Sequence, residues 1–126
     1  VAALGATEKT LINDLKFTGF LFESLVTHEL RVYAQANDAK VYHYRDSSNL
    51  EVDTIVEKYN GEWCAFEIKL GTGQIEEAAA NLNKFVSILD NKKTRPPKSL
   101  NIITGTGISY TRNDGINVIS LASFGA

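Results

Sequence analysis

Methionine is absent from the 126 residues, and the sequence opens on Val1. A natural open reading frame needs a start residue, so the sequence is expected to be a piece of a longer protein. Cysteine occurs once, at Cys64, which excludes an internal disulfide and suits a reducing, cytoplasmic compartment. No apolar run approaches the ~20 residues that a membrane helix needs, and no charged-then-apolar leader is present. A basic excess is missing too: 13 Lys and Arg stand against 15 Asp and Glu, for a net charge of −2. Phosphate neutralisation supplies most non-specific nucleic-acid affinity. This counts against a strong nucleic-acid binder acting alone, and any such contact must come from a local patch.

What is present is the composition of an ordinary globular chain, 44% hydrophobic and 22% charged. The length fits one domain with a single core. Residues 1–16 are mixed and read as a lead-in or a short helix. From Thr18 to Ala36, Leu21, Phe22, Leu25, Val26, Leu30, Val32 and Tyr33 recur at three and four, which predicts a helix with one broad apolar face.

Three strands are expected next. Lys40 to Arg45 is β-rich, and Asp46-Ser47-Ser48-Asn49 is turn chemistry. Glu51 to Lys58 alternates, with Val52, Thr54 and Val56 on one face and Glu51, Asp53, Ile55 and Glu57 on the other. Asn60-Gly61 is a strong hairpin signal, so the run Glu62 to Leu70 should pair antiparallel with its predecessor. It sets Trp63, Ala65, Glu67 and Lys69 on one face, and Cys64, Phe66, Ile68 and Leu70 on the other. After Gly71-Thr72-Gly73, an amphipathic helix is predicted from Gln74 to Asp90, burying Ile75, Ala78, Ala79, Leu82, Phe85, Val86 and Leu89. A polar loop ends at Pro96-Pro97; Ser99 to Thr104 and Ile116 to Leu121 are further strands. The order α-β-β-β-α-β-(β) implies an α/β fold with a mixed central sheet flanked by helices.

Chemistry concentrates in one place. Glu67 and Lys69 form an E-x-K pair, and residues two apart on a strand point to the same side. Asp53, on the hairpin partner, can face the same space if the register aligns the two faces. Two carboxylates and the Ile68 carbonyl would suit Mg²⁺ or Mn²⁺, with Lys69 supplying positive charge or orienting water. As a bare string, E-x-K equally describes an exposed ion pair of little energetic weight. The strand-turn-strand context followed at once by a helix is what lifts it.

The ordered set Gly19-Phe20-Leu21-Phe22-Glu23-Ser24-Leu25-Val26-Thr27-His28-Glu29-Leu30, Tyr44-Arg45-Asp46, Glu51-Val52-Asp53 and Phe66-Glu67-Ile68-Lys69 resembles the PD-(D/E)xK nuclease-like superfamily. More closely, it resembles the C-terminal domain of unknown function that follows an AAA-type ATPase module in bacterial and archaeal proteins. The resemblance implies a restriction-endonuclease-like core joined to an ATPase module in the missing part of the chain. It also implies a first-helix acid at the site, for which Glu23 and Glu29 compete. At about 100° per residue they lie about 240° on around the helix, about 120° by the shorter way, and cannot both reach one centre. Glu23, at the edge of the apolar arc, is favoured, and Glu29 is expected to pair with a group such as Arg45. Gln74 matches the polar residue that orients phosphate or lysine in such sites; it also reads as an ordinary first-turn residue.

The other signals are weaker. Both Gly-Thr-Gly segments lack the Gly-Lys-Ser/Thr of a phosphate loop. His28, His43 and Cys64 have no zinc spacing, and Tyr42, Tyr44 and Trp63 are expected to pack on the sheet. Lys92, Lys93, Arg95 and Lys98 form the basic cluster where DNA or RNA phosphates would be met. Two functions from different classes remain open. One is a divalent-metal-dependent nucleic-acid phosphodiesterase; the other is a non-catalytic accessory module that regulates the ATPase or binds a partner.

Overall fold

A computed structural model of the chain describes residues 2–91 and 94–121. Helix α1 spans Ala2–Ala36, followed by strands β1 (Ala39–Arg45), β2 (Glu51–Lys58) and β3 (Trp63–Lys69). A 3₁₀ turn over Thr72–Gln74 leads into helix α2 (Ile75–Asn91), and β4 (Ser99–Thr104), β5 (Tyr110–Thr111) and β6 (Asn117–Ser120) follow among the described residues. The six strands form one mixed sheet in the order β1-β2-β3-β4-β6-β5. The β1–β2, β2–β3 and β5–β6 pairs are antiparallel, and β3–β4 and β4–β6 are parallel. The α/β class and the element order agree with the expectation, and the short β5 is an addition.

Each face of the sheet carries one helix. Ile75, Ala78, Ala79, Leu82 and Phe85 of α2 close the main core over Leu50, Val52, Trp63, Ala65, Ile102, Ile116 and Val118. Phe85 lies 4.7 Å from Tyr44 and 5.9 Å from Trp63, ring centre to ring centre, the latter edge-on. The two small residues Ala78 and Ala79, 2% and 1% exposed, let the helix backbone approach the strands. On the other face, a smaller cluster joins Val26 of α1 to Ile68 and Ile103, with Phe22, Leu30 and Phe66 around it.

Three expectations need correction. The segment before Thr18 is neither a lead-in nor a separate short helix: from Ala2 onward it belongs to the 35-residue α1, about 50 Å long at 1.5 Å per residue. The broad apolar face of α1 is only partly covered, since Leu21, Leu25, Val32 and Tyr33 are exposed. The alternation of β2 also breaks. Tyr42 pairs with Ile55 and Tyr44 with Val52, so β2 carries one extra residue at Asp53–Thr54 opposite His43. Such a bulge re-aims side chains. Val52 consequently shares the α2-side core with Ile55, while Val56 lines a groove with Leu30 and Tyr33 of α1.

The β2–β3 hairpin forms where Asn60-Gly61 announced it, though with a wider loop. Gly61 N–H donates to the Lys58 carbonyl at 3.0 Å and Gly61 adopts φ +90°. This is a three-residue loop, a turn closed by a left-handed glycine, rather than a two-residue one. None of the helices in the described residues is long and apolar enough to cross a membrane.

Candidate functional site

The end of β3 that carries Glu67 and Lys69 lies beside the β2 bulge. The β2–β3 ladder stops at Thr54 and Phe66, and beyond it the side chain of Asp53 takes over. The Ile68 N–H donates to Asp53 Oδ2 at 2.9 Å. A carboxylate thus substitutes for a strand carbonyl, which ties Asp53 to the backbone of the E-x-K segment. Glu67, only 3% exposed, hydrogen-bonds with Asp53 and accepts a bond from Asn81 Nδ2 of α2 at 2.6 Å. The face bearing Glu67 is therefore the margin of the α2-side core, not an open sheet surface.

Electrostatics follow from that burial. Desolvation is the largest cause pushing the Glu67 carboxyl up to about 8, with the charge of Asp53 and its hydrogen bond acting the same way. Asn81 and the nearby Lys69 pull it back only partly. Glu23 of α1 is also raised above the usual carboxylate range, first by partial burial and next by the charge of Asp53, while Lys69 lowers it. Asp53, Glu67 and Lys69 line a groove of about 360 Å³ with Asn81, Glu77 and Lys84. Lys69 also lines an adjoining groove of about 500 Å³ with Glu23, Gln74 and Lys16. Asp53, Glu67, Lys69, Glu23 and Gln74 are thus brought together across two grooves that meet at Lys69.

Glu29 lies elsewhere. It is exposed and lines a pocket with Leu25, Val26 and Ile103. Among the described residues, no ion pair joins it to Arg45. Exposure removes the need for a buried partner. Lys92 and Lys93 lie outside the described residues. Arg95 and Lys98 are not brought to the grooves at Lys69. Arg95 Nη1 donates to the Asn60 carbonyl at 2.9 Å, and Lys98 pairs with Glu62 at 3.6 Å. Both therefore sit at the hairpin end of β3, on the order of 20 Å from Lys69 at ~3.3 Å per strand residue. Arg95→Ala should lower stability by ~0.5–1.5 kcal/mol by freeing the hairpin carbonyl, measured as a urea midpoint; an unchanged midpoint would leave Arg95 free for another role.

Other residues near the site were not singled out from sequence. Asn81 had a signal: it lies three residues after Ala78 and four before Phe85, so a polar side chain interrupts the rows of the buried stripe. His43 stands opposite the bulge, with Nε2 2.9 Å from Glu51 Oε1 and Nδ1 3.2 Å from the Asp53 carbonyl. Lys16 and Lys84 had none, because exposed helix lysines are common. Asp46 is a turn builder: its Oδ1 accepts bonds from the Ser48 and Leu50 N–H groups.

The residues fit a small hard cation. Two adjacent carboxylates, one of them pushed up to about 8 by desolvation first and by its charged neighbour second, form an oxygen-rich donor set in which a divalent ion would replace the proton. No group of three or more His, Cys, Asp and Glu side chains that could hold a metal ion occurs among the described residues.

Residues 18–124 match the family model described as a domain of unknown function, DUF4143. The chain belongs to the DUF4143 family. The match covers both helices, from Thr18 of α1 onward, and all six strands, so every residue of the candidate site except Lys16 lies inside the DUF4143 segment. A comparison with curated proteins and with solved structures finds no match.

Proposed function

We propose that this DUF4143 domain is a nuclease-like module of the PD-(D/E)xK kind. In this reading it is a divalent-metal-dependent phosphodiesterase acting on DNA or RNA, working with an ATPase module elsewhere in its protein. The observation that carries the reading is that Asp53, bonded to the Ile68 N–H, shares one groove with Glu67 and Lys69, with Glu23 and Gln74 in the adjoining one. Asp53 and Glu67 would hold Mg²⁺ or Mn²⁺, with the Ile68 carbonyl as a further oxygen. When bound, the ion supplies an activated water and positive charge for the phosphoryl group.

The chain's own residues do the rest. Lys69 places an ammonium where negative charge develops on the phosphate and stabilises it there. Glu23, its carboxyl raised by partial burial and Asp53, can hold or release a proton at the edge of the same space. Gln74 offers an amide to a phosphate oxygen. Lys16 and Lys84 line the two grooves and stand in for the basic cluster at Arg95 and Lys98 as phosphate contacts. A local cation set of this kind is compatible with a net charge of −2.

A specific observation favours a second reading, the accessory module. Phe17, Phe20, Leu21 and Leu25 of α1 are 50–65% exposed, more apolar surface than a free helix of a monomer usually shows. One titration separates the two. The intact protein is titrated with Mn²⁺ by calorimetry and then incubated with labelled single- and double-stranded DNA and RNA, with ATP. Site-specific Mn²⁺ binding that Asp53→Ala removes, with cleavage that stops in chelator and in Lys69→Ala, is expected. A protein that binds no divalent ion, and whose activities ignore Asp53→Ala, leaves the accessory module.

A further inference from the structure

Asn81 touches the candidate site in a way that a helix-surface asparagine need not. Its Nδ2 donates twice, to the Glu51 main-chain carbonyl at 2.6 Å and to Glu67 Oε1 at 2.6 Å. An asparagine amide nitrogen carries two hydrogens and no more, so both are committed. One bond latches α2 to the start of β2, and the other grips the carboxylate from the helix side. The neighbours of Glu67 then divide by direction: Asn81 from α2, and Asp53 from β2.

Strand residues adjacent to Glu67 do not grip it from the helix side, as Asn81 does. Across β4 it faces Ile102, fully buried and apolar, and along its own face the next residues are Ala65 and Lys69. Without a donor from α2, the carboxylate could turn about its last bond and offer either oxygen, or both, to the groove. Resting on the metal-site reading of Asp53 and Glu67, we infer that Asn81 is a positioning residue that holds one oxygen of Glu67 out of the groove and leaves the other to face Asp53. The requirement is chemical: two geminal N–H donors must span a main-chain carbonyl and a carboxylate at once. Serine and threonine offer one donor, aspartate none, and leucine of matching size none. Partners that orient a ligating carboxylate commonly change metal affinity 10–100-fold when removed.

A latch for α2 and a guide for Glu67 make different predictions. Asn81→Leu keeps the volume and removes both donors; Asn81→Ser, which is smaller and keeps a polar group, stands in should the leucine variant not fold. Both are made in the intact protein, alone and combined with Glu67→Leu, which removes the oxygen that accepts from Asn81. Mn²⁺ affinity is measured by calorimetry on protein whose fold is checked by circular dichroism, and metal-free stability by urea titration. The expected result is an Mn²⁺ dissociation constant raised about tenfold or more, and a metal-free stability change at Asn81 that differs according to whether Glu67→Leu is also present. If wild type binds no Mn²⁺, the metal reading fails by itself, and the background dependence still decides whether Asn81 acts on Glu67. Stability losses that add independently of the Glu67→Leu change, with Mn²⁺ affinity unchanged where it exists, would make Asn81 a latch only and overturn the inference.

Discussion

Phe85→Ala is expected to lower the stability of the domain by ~3–5 kcal/mol, a large fraction of what a chain of this size holds in reserve. Phe85 is 2% exposed and stands between Tyr44 and Trp63. Both ring contacts disappear with it, and neither neighbour is free to collapse into the space. Trp63 is tethered by its Nε1–H to the Arg95 carbonyl at 2.8 Å, and Tyr44 by its hydroxyl to Asp46 Oδ2 at 3.2 Å. A cavity whose walls are pinned relaxes little, which places the expected loss in the upper part of the range for such substitutions. Glu77→Ala, on the exposed side of the same helix, should change stability by less than about half a kcal/mol. Urea midpoints of the two variants decide the matter, and comparable midpoints would mean that the helix buries a different face. The same experiment bears on the site, because Asn81 rides on this helix one turn before Phe85.

The parts of the fold that sequence made legible are those governed by one local rule at a time. The stripe of α2 follows helical spacing, and its core residues Ile75, Ala78, Ala79, Leu82 and Phe85 are buried as spacing demands. The β2–β3 hairpin follows from a glycine that must adopt positive φ. The shared face of Glu67 and Lys69 follows from strand geometry. What stayed hidden depended on two elements meeting. The Asp53 bulge is set by how β1 and β2 register around His43, and alternation within β2 alone points Val52 to the wrong side. Arg95 reads as a phosphate contact by charge, and only the position of the loop against the hairpin shows that its guanidinium is already engaged at Asn60. The first turns of α1 had no periodic signal strong enough to extend the helix back to Ala2.

Burial of Glu67 carries a consequence for stability as well as for chemistry. Its folded-state carboxyl stands at about 8 against an ordinary value of 4.5, so between those values the folded chain holds a proton that the unfolded chain has released. Stability should therefore be fully present below about pH 4.5, fall as pH rises through the interval, and level off above about pH 8. The loss attributable to Glu67 in the metal-free protein is on the order of a few kcal/mol. Glu67→Gln removes the charge while keeping a carbonyl oxygen for Asn81 and offering an N–H to Asp53. It should be close to wild type in stability near pH 4.5 and clearly more stable than wild type near pH 9. A carboxylate kept at such a position against the stability of the fold is what a functional site, rather than a structural pair, would retain. Addition of Mg²⁺ or Mn²⁺ should close the gap from the other side, stabilising wild type at pH 8 by occupying the carboxylate pair and leaving Glu67→Gln nearly unchanged. The measurement is a set of urea titrations of both proteins at pH 5, 7, 8 and 9, with and without the cation. Parallel pH profiles for wild type and Glu67→Gln would show that Glu67 is ionised at neutral pH without help, and with that the case for a charge-hungry carboxylate pair at Asp53 and Glu67 would lapse.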